Sequence, residues 1–210
     1  AAILDVCCGD GRIARELTRR GYRVTGLDGS EQMLSYAKQH APKAELLLLD
    51  ARSFQIPARF DAAISTFDSL NHVLQANELA AVFRNTFAAL KPGGYFAFDL
   101  NREEAYHDLW SRTWSTIDDD VVTVGKGSYD PQRRLAHYQV ALFRLEHGLW
   151  HRSDFRLRQR YHREEDVLAA LDRAGFEVEI HDAASDLGMQ GEIGQGRTFY
   201  LARAAAVTPG

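Results

Sequence analysis

Leu4-Asp5-Val6-Cys7-Cys8-Gly9-Asp10-Gly11, followed seventeen residues later by the acid that closes Tyr22-Arg23-Val24-Thr25-Gly26-Leu27-Asp28, is the stretch that decides the fold. An apolar strand enters a glycine-bearing turn, a helix follows, and a second apolar strand stops at a carboxylate. This is the sequence form of a βαβ nucleoside-binding unit: the turn lets backbone approach the ligand, and the acid takes the ribose hydroxyls. The turn also selects among nucleosides. A dinucleotide fingerprint needs glycines at positions 7, 9 and 12, where this chain has Cys7, Gly9 and Arg12.

Outward from that unit, strands and helices alternate. Strands are expected at 3–7, 22–27, 44–49, 60–67 and 95–100. Helices are expected at 12–20, ended by Gly21; at 31–40, capped by Gly29-Ser30, with Met33, Leu34 and Ala37 on the apolar face; and at 77–90, with Leu79, Val82, Phe83 and Phe87 inward. Lys91-Pro-Gly-Gly stops that last helix. Such alternation predicts a doubly wound parallel sheet. From 113 to 161 the period shortens to two, with turn-like pieces at Asp118-Asp-Asp, Tyr129-Asp-Pro-Gln and Glu146-His-Gly. Three or four antiparallel strands are expected there, as an insert on the edge of the sheet. A helix at 164–174, a Gly175 cap, and strands at 176–180 and 198–202 complete the main fold, with a glycine-rich loop at 185–196. Residues 1–101 and 162–206 then form the main domain and 102–161 the inserted subdomain.

The 210 residues, 45% apolar, suffice for one core plus an insert. A net charge of −4 argues against nucleic-acid binding by bulk electrostatics. No apolar run reaches the roughly 18–20 residues of a membrane span. The two cysteines are adjacent, so they make no metal clip and only a strained bridge, which points to a reduced, cytoplasmic protein without a metal.

These landmarks together resemble the class I S-adenosylmethionine-dependent methyltransferases. Asp5-Val-Cys7-Cys-Gly9-Asp-Gly11 is similar to that family's motif I, Asp/Glu-x-Gly-x-Gly-x-Gly, with Cys7 in place of the first glycine. The resemblance implies that Asp5, Cys7, Gly9 and Gly11 surround the cofactor. An acid such as Asp5 or Asp10 beside the turn would repel a pyrophosphate and suit an ammonium or sulfonium. Val24 to Leu34 resembles motif II, so that Asp28, Gly29 and Ser30 hold the ribose and Met33 packs near the adenine. Leu49-Asp50-Ala51-Arg52 resembles motif III, whose acid and following N–H read the adenine. Asp68-Ser-Leu-Asn-His72, after Phe67, resembles the motif IV of bacterial and archaeal small-molecule methyltransferases, which adds Phe67, Asp68 and His72 to the cofactor wall. The family implies a Rossmann-like seven-stranded sheet of order 3-2-1-4-5-7-6 with strand seven antiparallel. It also implies an N-terminal segment, expected to precede residue 1, that lids the cofactor.

The implied activity is methyl transfer from S-adenosylmethionine to nitrogen or oxygen of a small molecule, leaving S-adenosylhomocysteine. A noncatalytic cofactor-binding module is the alternative, and a nicotinamide-dependent oxidoreductase a more distant one. Proximity can supply most of the acceleration, so no conspicuous catalytic residue is required. His72, just past strand four, reads as a general base, a cofactor contact or a loop filler. Asn101 and Arg102, at the carboxyl end of strand five, face the crevice where open α/β sheets bind ligands. Arg152, Asp154, Arg156, Arg158, Arg160 and His162 alternate along one strand. That face is a solvated surface, a subsite in which Arg158 and Arg160 meet an anionic acceptor, or a homodimer contact.

Overall fold

The computed structural model describes residues 1–108 and 110–205; Leu109 in the insert and position 206, the expected end of the main domain, lie outside them. Seven strands form one sheet: β1 (Ala2–Val6), β2 (Arg23–Asp28), β3 (Glu45–Leu48), β4 (Phe60–Ser65), β5 (Leu90–Asn101), β10 (Phe176–Asp182) and β11 (Arg197–Ala204). Their order is β10-β11-β5-β4-β1-β2-β3. β11 runs antiparallel to both neighbours and the rest are parallel. The expected topology is therefore borne out, with β11 in the place of the family's strand seven.

All five residues of β1 are buried, as a parallel strand covered on both faces requires. Helices α1 (Arg12–Arg19), α2 (Glu31–His40), α3 (Ala76–Ala89) and α5 (Glu164–Ala174) pack on the sheet. Leu79, Val82 and Phe83 of α3 bury their side chains, and Phe83, Phe98 and Tyr200 form a run of rings with centroids 5.3 and 4.8 Å apart. Lys91-Pro-Gly-Gly does end α3, but it lies within β5 and not before it. The β4–β5 pairing accordingly shifts register between Phe60 and Ala62. Met33 departs from the expected stripe: α2 buries Leu34 and Ala37 and leaves Met33 exposed.

The insert forms a separate antiparallel sheet of β6 (Thr113–Ile117), β7 (Val121–Asp130), β8 (Leu135–Glu146) and β9 (Leu149–Arg160), in that order. Its β8–β9 hairpin turns on His147 and Gly148, both at positive φ (51° and 81°), as a two-residue hairpin loop demands. A short helix not anticipated from sequence, α4 (Glu103–Asp108), leads into it. The buried Tyr106 of α4 stacks on Tyr129 of β7 at 5.3 Å. The expected edge position is corrected here. The insert pairs with neither edge strand, β10 or β3, and hydrogen-bonds instead to the turn after β4 and the end of β5. Every position of β9 up to Arg158 is exposed, Phe155 and Leu157 included.

Candidate functional site

The carboxyl ends of β1, β2 and β4 lie side by side at one end of the sheet. After β1 the chain makes a turn in which Cys7, Gly9 and Gly11 all take positive φ, at 62°, 54° and 79°. Cys7 thus adopts the left-handed conformation that glycine takes freely, at a cost on the order of 1 kcal/mol. This is the physical content of its replacing the family's first glycine. Gly11 is required by contact as well, because a Cβ there would sit 2.9 Å from the Cβ of Ala37. The glycine lets α1 start hard against α2. Cys8 fills space in the same way, its sulfur 2.8 Å from where a Cβ on Gly26 would be. Both thiols are free, and burial pushes that of Cys7 up to about 12, so neither is a poised nucleophile.

Asp28 organises this end of the sheet. Its carboxylate accepts the N–H of Gly9 at 2.9 Å and that of Ser30 at 2.8 Å, joining the glycine turn to the start of α2. The Ser30 hydroxyl then caps α2 by accepting from the N–H of Met33 at 3.2 Å. Gly29 is open, with no atom within 4 Å of a Cβ built there. The Met33 methyl lies 3.5 Å from a Cβ position on Gly9 and so overhangs the turn. Asp5 is buried at the end of β1, and its Oδ2 has no partner among the described residues. Burial, with Asp28 beside it, raises the Asp5 carboxyl to about 7. A positive-φ turn, a carboxylate at the end of β2 beside it and an unpartnered buried acid fit a nucleoside with a cationic tail.

Further along, the Asp50 carboxylate is folded onto Arg52, accepting from its backbone N–H and guanidinium, each at 2.9 Å. Arg52 also reaches Glu78 at 3.2 Å. The guanidinium beside it holds the Asp50 carboxyl below the usual range. Ala51 is buried and its carbonyl accepts from Asn85.

After β4, Phe67 and Asp68 take positive φ of 59° and 49°. Two successive non-glycine residues in that region store on the order of 1–3 kcal/mol each. The Phe67 ring projects outward, 61% exposed. Three groups hold the turn. The Asp99 carboxylate of β5 accepts the Asp68 N–H at 2.8 Å. Arg197 of β11 bridges Asp99 and Asp68, the latter at 3.0 Å. Gln159 of β9 donates to Asp68. Burial pushes the Asp99 carboxyl up, and Arg197 opposes it.

The structure brings His72 to this turn but engages both its ring nitrogens, Nδ1 with the Arg158 carbonyl at 2.9 Å and Nε2 with the Gln159 amide at 3.1 Å. Asn101 is buried: its N–H donates to Asn71 at 2.9 Å and its side chain to Gln159 at 3.3 Å. Arg102 pairs with Asp182 at 2.8 Å. Arg158 is exposed, and Arg160 presents its carbonyl to Asn71 at 2.9 Å. His162 leaves the expected charged face altogether; it is buried beyond β9 against the Val73 carbonyl, 2.8 Å away.

Sequence reasoning missed Asp99, Arg197, Gln159 and Tyr106. Asp99 carried a signal, a lone acid in the apolar run Tyr95–Leu100, whereas Gln159 and Arg197 sit in polar stretches without one. Beside Arg197 lies a cavity of about 770 Å³ walled by Trp110, Trp114, Tyr138, Leu157 and Glu192.

Residues 3–94 match a family model described as a methyltransferase domain. dTDP-3-amino-3,4,6-trideoxy-alpha-D-glucopyranose N,N-dimethyltransferase of Streptomyces venezuelae is 30% identical over 185 residues, 85% of this chain and 76% of its own. Among solved structures, an S-adenosylmethionine-dependent methyltransferase from Clostridium acetobutylicum has a TM-score of 0.85 at 24% identity, over 98% of this chain and 84% of the other. The SAM-bound amino pentose methyltransferase CalS10 from Micromonospora echinaspora has a TM-score of 0.79 at 22% identity, over 98% and 84%. At those identities the two structures attest the fold.

Proposed function

The chain belongs to the class I S-adenosylmethionine-dependent methyltransferases, and from that premise we propose that it methylates nitrogen or oxygen of a small molecule seated in the cavity beside Arg197. When bound, the cofactor would supply a sulfonium methyl group whose carbon an acceptor lone pair takes in line, with the thioether of S-adenosylhomocysteine as the leaving group. In this reading Asp28 takes the ribose diol, Gly9 and Gly11 bring backbone to the methionyl end, and Asp5, raised to about 7 in the free protein, ionises beside the cation. Met33, Asp50 and the Ala51–Arg52 backbone flank the adenine. Phe67 and Asp68 form the wall between cofactor and acceptor.

The carrying observation is the placement of that cavity. It shares Arg197 with the turn after β4, so an occupant lies next to the wall where the methyl group is presented. Its volume suits a small organic molecule. Nitrogen is the favoured acceptor atom. The Streptomyces venezuelae relative is an N,N-dimethyltransferase of an amino sugar nucleotide, and the Trp110, Trp114 and Tyr138 rings offer faces for a small acceptor to pack on, in a cavity whose charged lining is Arg112, Arg197 and Glu192. The His72 Nε2 lone pair is taken by Gln159, so His72 is not a free base. In this reading positioning drives the transfer, and the amine loses its proton to solvent before it reacts.

The test has two stages. S-adenosylhomocysteine at about 100 times its Kd should add roughly 2.7 kcal/mol, a melting shift on the order of 5–10 °C, while NAD should add none. Labelled S-adenosylmethionine should then be offered with matched amines and alcohols. Amine turnover supports the proposal. Turnover of alcohols alone refutes the nitrogen assignment, and cofactor binding without turnover across the series would make the protein a binding module.

A further inference from the structure

Gln159 is fully buried although each of the ten residues before it on β9 is exposed. A primary amide has two N–H donors and a carbonyl with two lone pairs, and all four are used. Nε2 donates to the Asp68 carboxylate and to Nε2 of His72 at 3.1 Å. Oε1 accepts from the Tyr106 hydroxyl at 3.0 Å and from Asn101 Nδ2 at 3.3 Å. A flipped amide would set its carbonyl against the Asp68 carboxylate and its NH2 against that of Asn101, so the orientation is fixed. Donation from Gln159 also fixes the His72 ring as the Nδ1–H tautomer, whose proton goes to the Arg158 carbonyl at 2.9 Å.

The two groups that Gln159 holds from the insert, Asp68 and His72, bracket the turn after β4. Phe67 and Asp68 keep that turn in a conformation non-glycine residues rarely adopt. A turn of that kind persists only when its surroundings over-determine it. Arg197 and Asp99 hold it from the main sheet, and Gln159 is the insert's contribution. We propose that Gln159 is a positioning residue for methyl transfer: by clamping Asp68 and His72 it sets the cofactor-facing turn from the insert, so that docking of β9 and cofactor affinity are coupled. This rests on the reading that the turn after β4 lines the cofactor.

The experiment is calorimetric titration of S-adenosylhomocysteine into the full chain, with folding followed by circular dichroism and the His72 tautomer read from 15N shifts. Gln159→Met should weaken binding at least tenfold, and Gln159→Glu likewise, because its carboxylate would face that of Asp68. The double variant Asp68→Asn/Gln159→Glu exchanges donor for acceptor at that contact and, although it gives up the Arg197 pair and the bond to His72, should bind more tightly than Gln159→Glu. Arg152→Ala, on exposed β9, should change nothing. Folded Gln159→Met binding within twofold of wild type overturns the proposal, as does a double variant no tighter than Gln159→Glu. If the single variants fail to fold, the wild-type tautomer decides, and an Nε2–H ring at His72 overturns the clamp. A wild type that does not bind S-adenosylhomocysteine refutes the cofactor reading itself, and this proposal with it.

Discussion

Replacing Asp28 by alanine removes two structural hydrogen bonds as well as a ligand contact. The carboxylate accepts from Gly9 at 2.9 Å and from Ser30 at 2.8 Å. A hydrogen bond to an ionised acceptor contributes about 1.5–3 kcal/mol, and both lie near solvent, so the lower figure applies and the pair is worth about 3 kcal/mol. In a chain of this length each kcal/mol moves Tm by about 2–4 °C, and Asp28→Ala should melt roughly 6–12 °C lower. The ribose loses a charged acceptor worth about 1.5–3 kcal/mol, which weakens S-adenosylhomocysteine roughly 10- to 150-fold. Thermal denaturation of the free protein and calorimetric titration read the two losses separately. Cys7→Gly is the control: glycine takes a φ of 62° without strain, so affinity should stay within a few-fold. An Asp28→Ala protein that binds S-adenosylhomocysteine within threefold of wild type, beside a Cys7→Gly protein that does not bind, would show that the nucleoside lies elsewhere. An unchanged Tm would refute the fastening role of the carboxylate.

Gly11→Ala should cost about 2–4 kcal/mol in urea unfolding, from a positive φ of 79° and a Cβ 2.9 Å from that of Ala37. Gly29→Ala, with open space around it, should be near neutral; equal effects would contradict the packing described. Asp5 titrates at about 7 in the folded protein against 3.8 ordinarily, so the folded state keeps a proton that the unfolded chain has lost. Stability of the free protein should therefore fall as pH rises between those values, by on the order of 4 kcal/mol, and Asp5→Asn should flatten the profile. A wild-type profile already flat across that window would refute it. Burial lowers His162 from 6.5 to about 4. The unfolded chain then takes up a proton that the folded state refuses, and stability is lost as pH falls from 6.5 towards 4. The His162 ring should show no NMR titration above about pH 5, and a midpoint near 6.5 would contradict its burial.

Local patterns in the chain determined the seven-strand sheet, its helices and the turn after β1. The glycine turn, the strand-ending Asp28 and the Ser30 cap act on neighbours in sequence or one βαβ unit away, so their chemistry is written in adjacent letters. The four antiparallel strands were legible for the same reason, since period-two alternation and turn residues are local. Where those strands sit was not legible. A sheet that forms no strand pairing with the main one leaves no register to read, and its seat depends on Gln159 meeting Asp68 and His72 across some ninety residues of chain. Asn101 and His162 illustrate the limit. Alternation placed them at a ligand-facing strand end and on a charged face, while tertiary contacts with Asn71, Gln159 and Val73 turned both into buried fasteners. Burial of a polar side chain is settled by which partners the fold delivers to it, and only the tertiary structure brought β5, β9 and β11 together around the turn after β4.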